Sequence, residues 1–404
     1  MPMKRIFLIA GIVLAVLLIG FFAYYYFVYR PAVPENVVDI PLPPGQEVTL
    51  TPEEVQQGKT LEEKHEELRR ELGITAQDDV VTVAKVLDRP VLAPTLSADG
   101  LALYFFDPKS GQFRTTDTVG ANESSLVGGT FENVSRIKWA PTKDAVAISF
   151  TEGSVTKNVI LTLEDQTLVE LDPRIQYPVF SPDGLRIVYL FSDPESGQFK
   201  LSTALRDGTN AQALKSYRAG ELQLHWFAEE GIAYGGVSSG FKAASVFSMD
   251  TRGERNRTLL GDAYAADMVF SPIGNRVVFS EAPRKPYITS LLLMDATGQN
   301  VVQTSLDTLA RKCAWSSTGF TLLCGVPAFP DEQYTVPEDY EDEKWVTRDD
   351  LYRVNATTGE ATQIVKHSQY TEGYDISDPF LSPEQDTLYF TRRNDGRLYA
   401  YYLP

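Results

Sequence analysis

The stretch VFSPDGLRIVYLF, Val179 to Phe191, decides the fold. An apolar run ends at Phe180, and Ser181-Pro182-Asp183-Gly184 supplies turn chemistry: the proline pre-sets φ and the glycine tolerates a left-handed backbone. After the turn, Ile187, Tyr189 and Phe191 alternate with Arg186, Val188 and Leu190, the period-two pattern of a strand. The stretch therefore predicts a strand, a tight turn and a second strand. One such hairpin is marginal in water, so it needs neighbours of its own kind.

The sequence supplies them. Equivalent anchors are LSADG at Leu96, WAPTKD at Trp139, FSPDG at Phe180, WFAEEG at Trp226, FSPIGN at Phe270, WSSTG at Trp315 and LSPEQD at Leu381. Successive anchors start 43, 41, 46, 44, 45 and 66 residues apart. A second signal repeats between them: DPKSGQFR at Asp107 returns as DPESGQFK at Asp193, and MDTRGE, MDATGQ and NATTGE each follow an apolar strand. A unit of this length holds about four strands and cannot bury both faces alone, and radial stacking of four-stranded blades solves that problem. The last unit ends one strand short, while VVTVAKVLDR, Val80 to Arg89, stands unpaired before the first anchor. Pairing that segment with the last unit closes the ring. The expected fold is all-β: a seven-bladed β-propeller of four-stranded antiparallel blades over residues 80–404, with residues 80–89 as closing strand.

These repeats resemble the TolB-type or WD40-like propeller repeats of bacterial envelope proteins, most closely at Val179 to Tyr189 and Met268 to Phe279. The resemblance covers Val80 to Pro404 and implies an envelope binding or scaffolding module. TolB carries an α/β domain before its propeller, and the propellers of prolyl oligopeptidases accompany a hydrolase domain. Neither accompaniment is read in this chain.

Residues 1–30, MPMKRIFLIAGIVLAVLLIGFFAYYYFVYR, carry no charge from Ile6 to Tyr29. That length crosses a hydrocarbon core of about 30 Å as a helix. Lys4 and Arg5 on one side and Tyr24, Tyr25, Tyr26 and Tyr29 on the other predict a single-pass anchor with a cytoplasmic N-terminus and an extracytoplasmic body. A cleaved signal peptide is the competing reading, but no small-x-small site closes the stretch. Residues 31–50 are a Pro-rich spacer, and residues 51–73 open with Thr51, Pro52 and Glu54, a capping pattern that predicts a short helix.

The net charge of −17 and pI near 4.7 argue against a nucleic-acid partner, which requires clustered Lys and Arg. The two cysteines, Cys313 and Cys324, lie on the arms of one hairpin, where they either pair or remain buried thiols. His65, His225 and His367 fall in separate segments, and no nucleophile elbow, P-loop or dinucleotide fingerprint is present. The sequence predicts no catalytic residues, no metal site and no cofactor, and the chain reads as not an enzyme.

One deviation from the repeat marks a candidate site. The sixth unit carries an insertion over residues 329–350, FPDEQYTVPEDYEDEKWVTRDD, with nine acidic residues against Lys344 and Arg348. Long loops in compact folds are usually functional or disordered. Tyr334, Tyr340, Asp342 and Trp345 are the candidate partner-binding residues, facing a protein or glycan partner. The insertion is alternatively a flap whose aromatics only fix it to the propeller. The functional reading is a non-catalytic protein- or ligand-binding scaffold of the cell envelope, tied to the membrane by its N-terminal helix. The alternative is an envelope hydrolase or lyase acting on a polysaccharide or peptide in the channel.

Overall fold

Strand-forming alternation and turn chemistry repeat seven times, and seven four-stranded antiparallel sheets result. The computed structural model describes residues 83–217, 222–282, 289–329 and 333–403. The anchor expected over 1–30, the spacer over 31–50 and the helix over 51–73 lie outside the described residues. Among the described residues no helix is long and apolar enough to cross a membrane.

Blades one to six occupy residues 92–125, 134–170, 175–217, 223–263, 267–303 and 313–365. Blade seven is built from Ile376–Leu381, Thr387–Arg392 and Arg397–Tyr402, and its outer strand is Val83–Pro90 from the other end of the chain. Val83 stands opposite Tyr401 and Ala84 opposite Ala400, so the ring is closed by antiparallel pairing. The closing strand buries Val86 and Leu87 among Leu96, Leu103 and Phe105 of blade one and Tyr389, Leu398 and Ala400 of blade seven.

The core lies between blades. Ala145, Ala147 and Ile160 of blade two pack on Phe180, Ile187 and Tyr189 of blade three, and the other apolar clusters repeat this arrangement. A twisted sheet with two apolar faces is thus covered on both sides by its neighbours.

The anchor turns explain the repeated serine. Ser181 Oγ accepts from the amide of Arg186 at 3.0 Å, and the Gly184 amide donates to the Ser181 carbonyl at 2.9 Å. Ser97, Ser271, Ser316 and Ser382 accept from the amide five residues on in the same way. Gly184 has φ of +71°, and a Cβ there would stand 2.4 Å from Thr142 Oγ1 of the preceding blade, so both backbone and packing require glycine. Two anchor tryptophans tie inner strands together: Trp139 Nε1 donates to the Ala93 carbonyl (2.7 Å) and Trp315 Nε1 to the Val269 carbonyl (3.0 Å).

Cys313 and Cys324 face each other across the hairpin of blade six and form a disulfide. The two thiols that the sequence left as either paired or free are therefore joined, within the buried cluster shared by blades five and six.

Strand direction defines two ends of the ring. Turns between first and second strands emerge at one end. Connections between second and third strands emerge at the other, together with the links from blade to blade. The insertion of blade six joins Thr321–Pro327 to Asp349–Asn355, a second-to-third connection, and so belongs to this second end.

Candidate functional site

The insertion is a flap held by a buried charge cluster. Lys312, at the entry to blade six, is 1% exposed. Its ammonium donates to Asp349 Oδ2 at 2.7 Å, Asp375 Oδ1 at 2.6 Å, Thr347 Oγ1 at 3.0 Å and the Ile376 carbonyl at 3.2 Å. Burial works against that charge, but the two carboxylates outweigh it and hold the ammonium well above its ordinary range. Burial pushes the Asp349 carboxyl up while Lys312 pulls it back down. Every acceptor in the cluster has a donor: the Ile376 amide reaches Asp349 Oδ2 at 2.8 Å, and the Thr347 amide reaches Asp375 Oδ2 at 3.0 Å.

Tyr340 joins this cluster. Its hydroxyl donates to Asp375 Oδ1 at 3.0 Å, and its ring lies under the Arg393 guanidinium at 4.2 Å. Arg393 also donates to the carbonyls of Tyr340 and Glu341. On the opposite side Glu338 accepts from the Gly240 amide of blade four (3.0 Å), and Arg311 links Asp267 of blade five to Glu341. The flap rises from blade six and is fastened to blades four, five and seven, so it reaches across the second end of the ring.

The four candidate residues separate into two roles. Tyr340 is 1% exposed and serves as a pin. Tyr334 and Trp345 are half-buried and stack at 6.2 Å, with Trp345 edge-on to Tyr340. Asp342 is exposed and accepts from Lys344 at 2.8 Å. The same end exposes Phe241 (74%) and Phe329 (68%), neither of which was singled out in the sequence.

A second group of residues lies in the central lumen. Counting back three positions from the anchors gives Ala93, Arg136, Tyr177, Gln223, Asp267, Lys312 and Asp378; counting back one gives Lys138 and His225 among others. Apart from Lys312, which ends the 3-10 turn Ala310–Lys312 and belongs to the buried cluster under the flap, these residues fall on the inner strands. Lys138 of blade two is influenced by Asp378 of blade seven and Asp267 of blade five, and His225 of blade four by Lys138 and Arg136. Non-adjacent blades can affect one another in this way only across the axis. Lys138 is exposed to solvent from its inner strand. Three inner strands bulge at an X-Pro pair, with Ala93, Tyr177 and Asp378 at positive φ, and bulges of this kind re-aim side chains. The signal was present in the sequence as charges interrupting apolar inner strands, but it has meaning only once the register is fixed.

His225 lies on the inner strand Gln223–Ala228 of blade four, packed against Phe270 at 5.3 Å. Burial lowers its pKa to about 4, and Lys138 and Arg136 add to the shift against the pull of Asp267. A histidine depressed from 6.5 keeps its contribution to stability above pH 6.5 and loses it as pH falls through about 4. His225→Gln should therefore flatten the acid side of the stability curve in that window, by on the order of 3 kcal/mol at most. Parallel chemical-denaturation curves from pH 7 to 4 for both proteins would contradict this. His367 is elsewhere, with Nδ1 2.8 Å from Asp350 at the outside of blade six. Among the described residues no three His, Cys, Asp or Glu side chains are grouped as a metal site.

No family model matches the chain. No curated protein matches it either. Solved structures do. An oligogalacturonate lyase in complex with manganese is similar at a TM-score of 0.56 and 13% identity, covering 82% of this chain and 92% of that one. The oligogalacturonate lyase of Vibrio parahaemolyticus follows at 0.54 and 12%, with the same coverages. TolB from Acinetobacter baumannii is also similar, at 0.43 and 12%, over 69% of this chain and 65% of that one, too loosely to carry an argument. At these identities the likeness concerns the fold. It corrects one expectation: the reading that the chain is not an enzyme rested on missing motifs, and two of the structures that share this propeller fold are lyases.

Proposed function

We propose that this chain is a membrane-anchored propeller that recognises a protein partner at its flap-bearing end, outside the cytoplasm. The observation that carries the reading is the flap. A buried charge cluster fixes it across three neighbouring blades, while Tyr334, Asp342 and Trp345 stay at the surface beside exposed Phe241 and Phe329. Rigid aromatic side chains beside exposed acids suit a partner with a basic rim and an apolar centre, because little entropy is lost on contact. The apolar stretch from Ile6 to Tyr29 supports the anchor, and the Cys313–Cys324 disulfide supports an oxidising compartment.

The test is a variant carrying Tyr334→Ala, Trp345→Ala and Phe241→Ala, none of which touches Lys312. It should keep the wild-type melting temperature and lose the species cross-linked to the intact protein in membranes. Unchanged capture would overturn the reading, and a captured glycan in place of a protein would change the class of partner.

A second reading rests on His225. Its imidazole is neutral above about pH 4 and stands in the lumen beside two cations, where it could accept a proton from a bound molecule. An envelope hydrolase or lyase acting on a polysaccharide or peptide in the channel would use it, and loss of turnover in His225→Gln would be the mark of that activity.

A further inference from the structure

Arg136 and Lys138 stand two residues apart on the inner strand of blade two, Val134–Trp139. Among the described residues neither side chain has a hydrogen bond or an ion pair. The carboxylates that share the lumen are engaged elsewhere. Asp267 Oδ2 accepts from the amide and Nε of Arg311 at 2.9 and 2.8 Å, and Asp378 Oδ2 accepts from the hydroxyls of Ser377 and Thr391 at 3.3 and 3.4 Å. Burial and the neighbouring Arg136 disfavour the Lys138 charge against the weaker pull of Asp378 and Asp267, and burial disfavours that of Arg136. Two like charges two residues apart, neither in direct contact with a carboxylate, contribute little to the stability of the fold. They are the arrangement expected where an anion arrives from outside.

The surroundings limit what that anion carries. The Arg136 guanidinium lies over the Tyr177 ring at 5.2 Å, which fixes its plane. Farther round the axis His225 stands 5.3 Å from Phe270, a half-buried ring at the inner edge of the cluster between blades four and five, with Phe227 stacked on it at 4.5 Å. We propose that the lumen is a binding site for an organic anion, whose carboxylate or phosphate is held by Arg136 and Lys138 and whose flat or apolar body lies against Tyr177, His225 and Phe270. This site is independent of the flap-end partner, and either can fail without the other.

The experiment is calorimetric titration of the intact chain at low salt with three probes of one shape: benzoate, phenyl phosphate and neutral benzyl alcohol. At least one anion should bind saturably and more tightly than the alcohol, and the comparison of the two anions identifies the head group. Lys138→Met and Arg136→Gln, made separately, should each weaken that anion at least tenfold, while Lys85→Met on the outer closing strand should not. Because Lys138→Met removes a charge disfavoured by burial and by Arg136 and breaks no contact, its melting temperature should stay level or rise, which a purely structural role would not produce; Arg136→Gln also gives up the Tyr177 ring contact. The proposal is overturned if neither anion saturates, if benzyl alcohol binds as well as the anions, or if both lumen variants bind the anion as the wild type does. Should one variant fold poorly, the other still decides.

Discussion

Replacing Lys312 with Met should lower the unfolding free energy by about 3–5 kcal/mol at neutral pH, the usual cost of removing one partner from a buried ion cluster. Asp349 and Asp375 are both fully buried and would lose the ammonium at 2.7 and 2.6 Å. The loss has a characteristic pH dependence. Without Lys312 the buried Asp349 carboxyl of the folded state loses the charge that pulls its pKa down and holds its proton more tightly than in the unfolded chain, so the folded variant binds more protons. Its stability then rises as pH falls, and the deficit against wild type narrows from pH 7 towards 5. Denaturant titrations of both proteins across that range measure it. A deficit below about 1 kcal/mol at pH 7, or one independent of pH, would contradict the cluster. Amide exchange should also quicken around Thr347, whose N–H is held by Asp375.

Deleting residues 80–89 should cost more still. The closing strand pairs with Arg397–Tyr402, and Val86 and Leu87 are 7% and 4% exposed at the junction of blades seven and one. Two buried apolar side chains contribute about 1.5–3 kcal/mol each, and each ladder hydrogen bond adds about 0.5–1.5 kcal/mol. The melting temperature should fall by on the order of 10 °C or more. A shortened chain melting within a few degrees of wild type would show that the ring does not depend on its closure.

The fold was legible because its determinants are local. Each anchor carries its own serine, proline or glycine, and Ser181 caps the turn it opens, so seven turns could be counted without knowing any tertiary contact. The closing strand followed from arithmetic on strands. The site was legible only in outline. The insertion departs from the repeat, but Tyr340 is buried by Lys312, Asp375 and Arg393, residues distant in sequence that nothing local connects to it. The lumen charges were hidden for the same reason: Arg136, Lys138, Asp267 and Asp378 meet only after the register of three inner strands is set. The expectation that the chain is not an enzyme was drawn from absent motifs, which are local observations, whereas lyases are found among the structures that share the fold.

The most direct test of recognition at the flap-bearing end compares a photo-crosslinking amino acid at Trp345 with one at Leu185, which is 57% exposed on a first-to-second-strand turn at the opposite end. In native membranes the account predicts a discrete adduct from position 345 and none from position 185. Adducts from position 185 alone, from both positions equally, or from neither would contradict it.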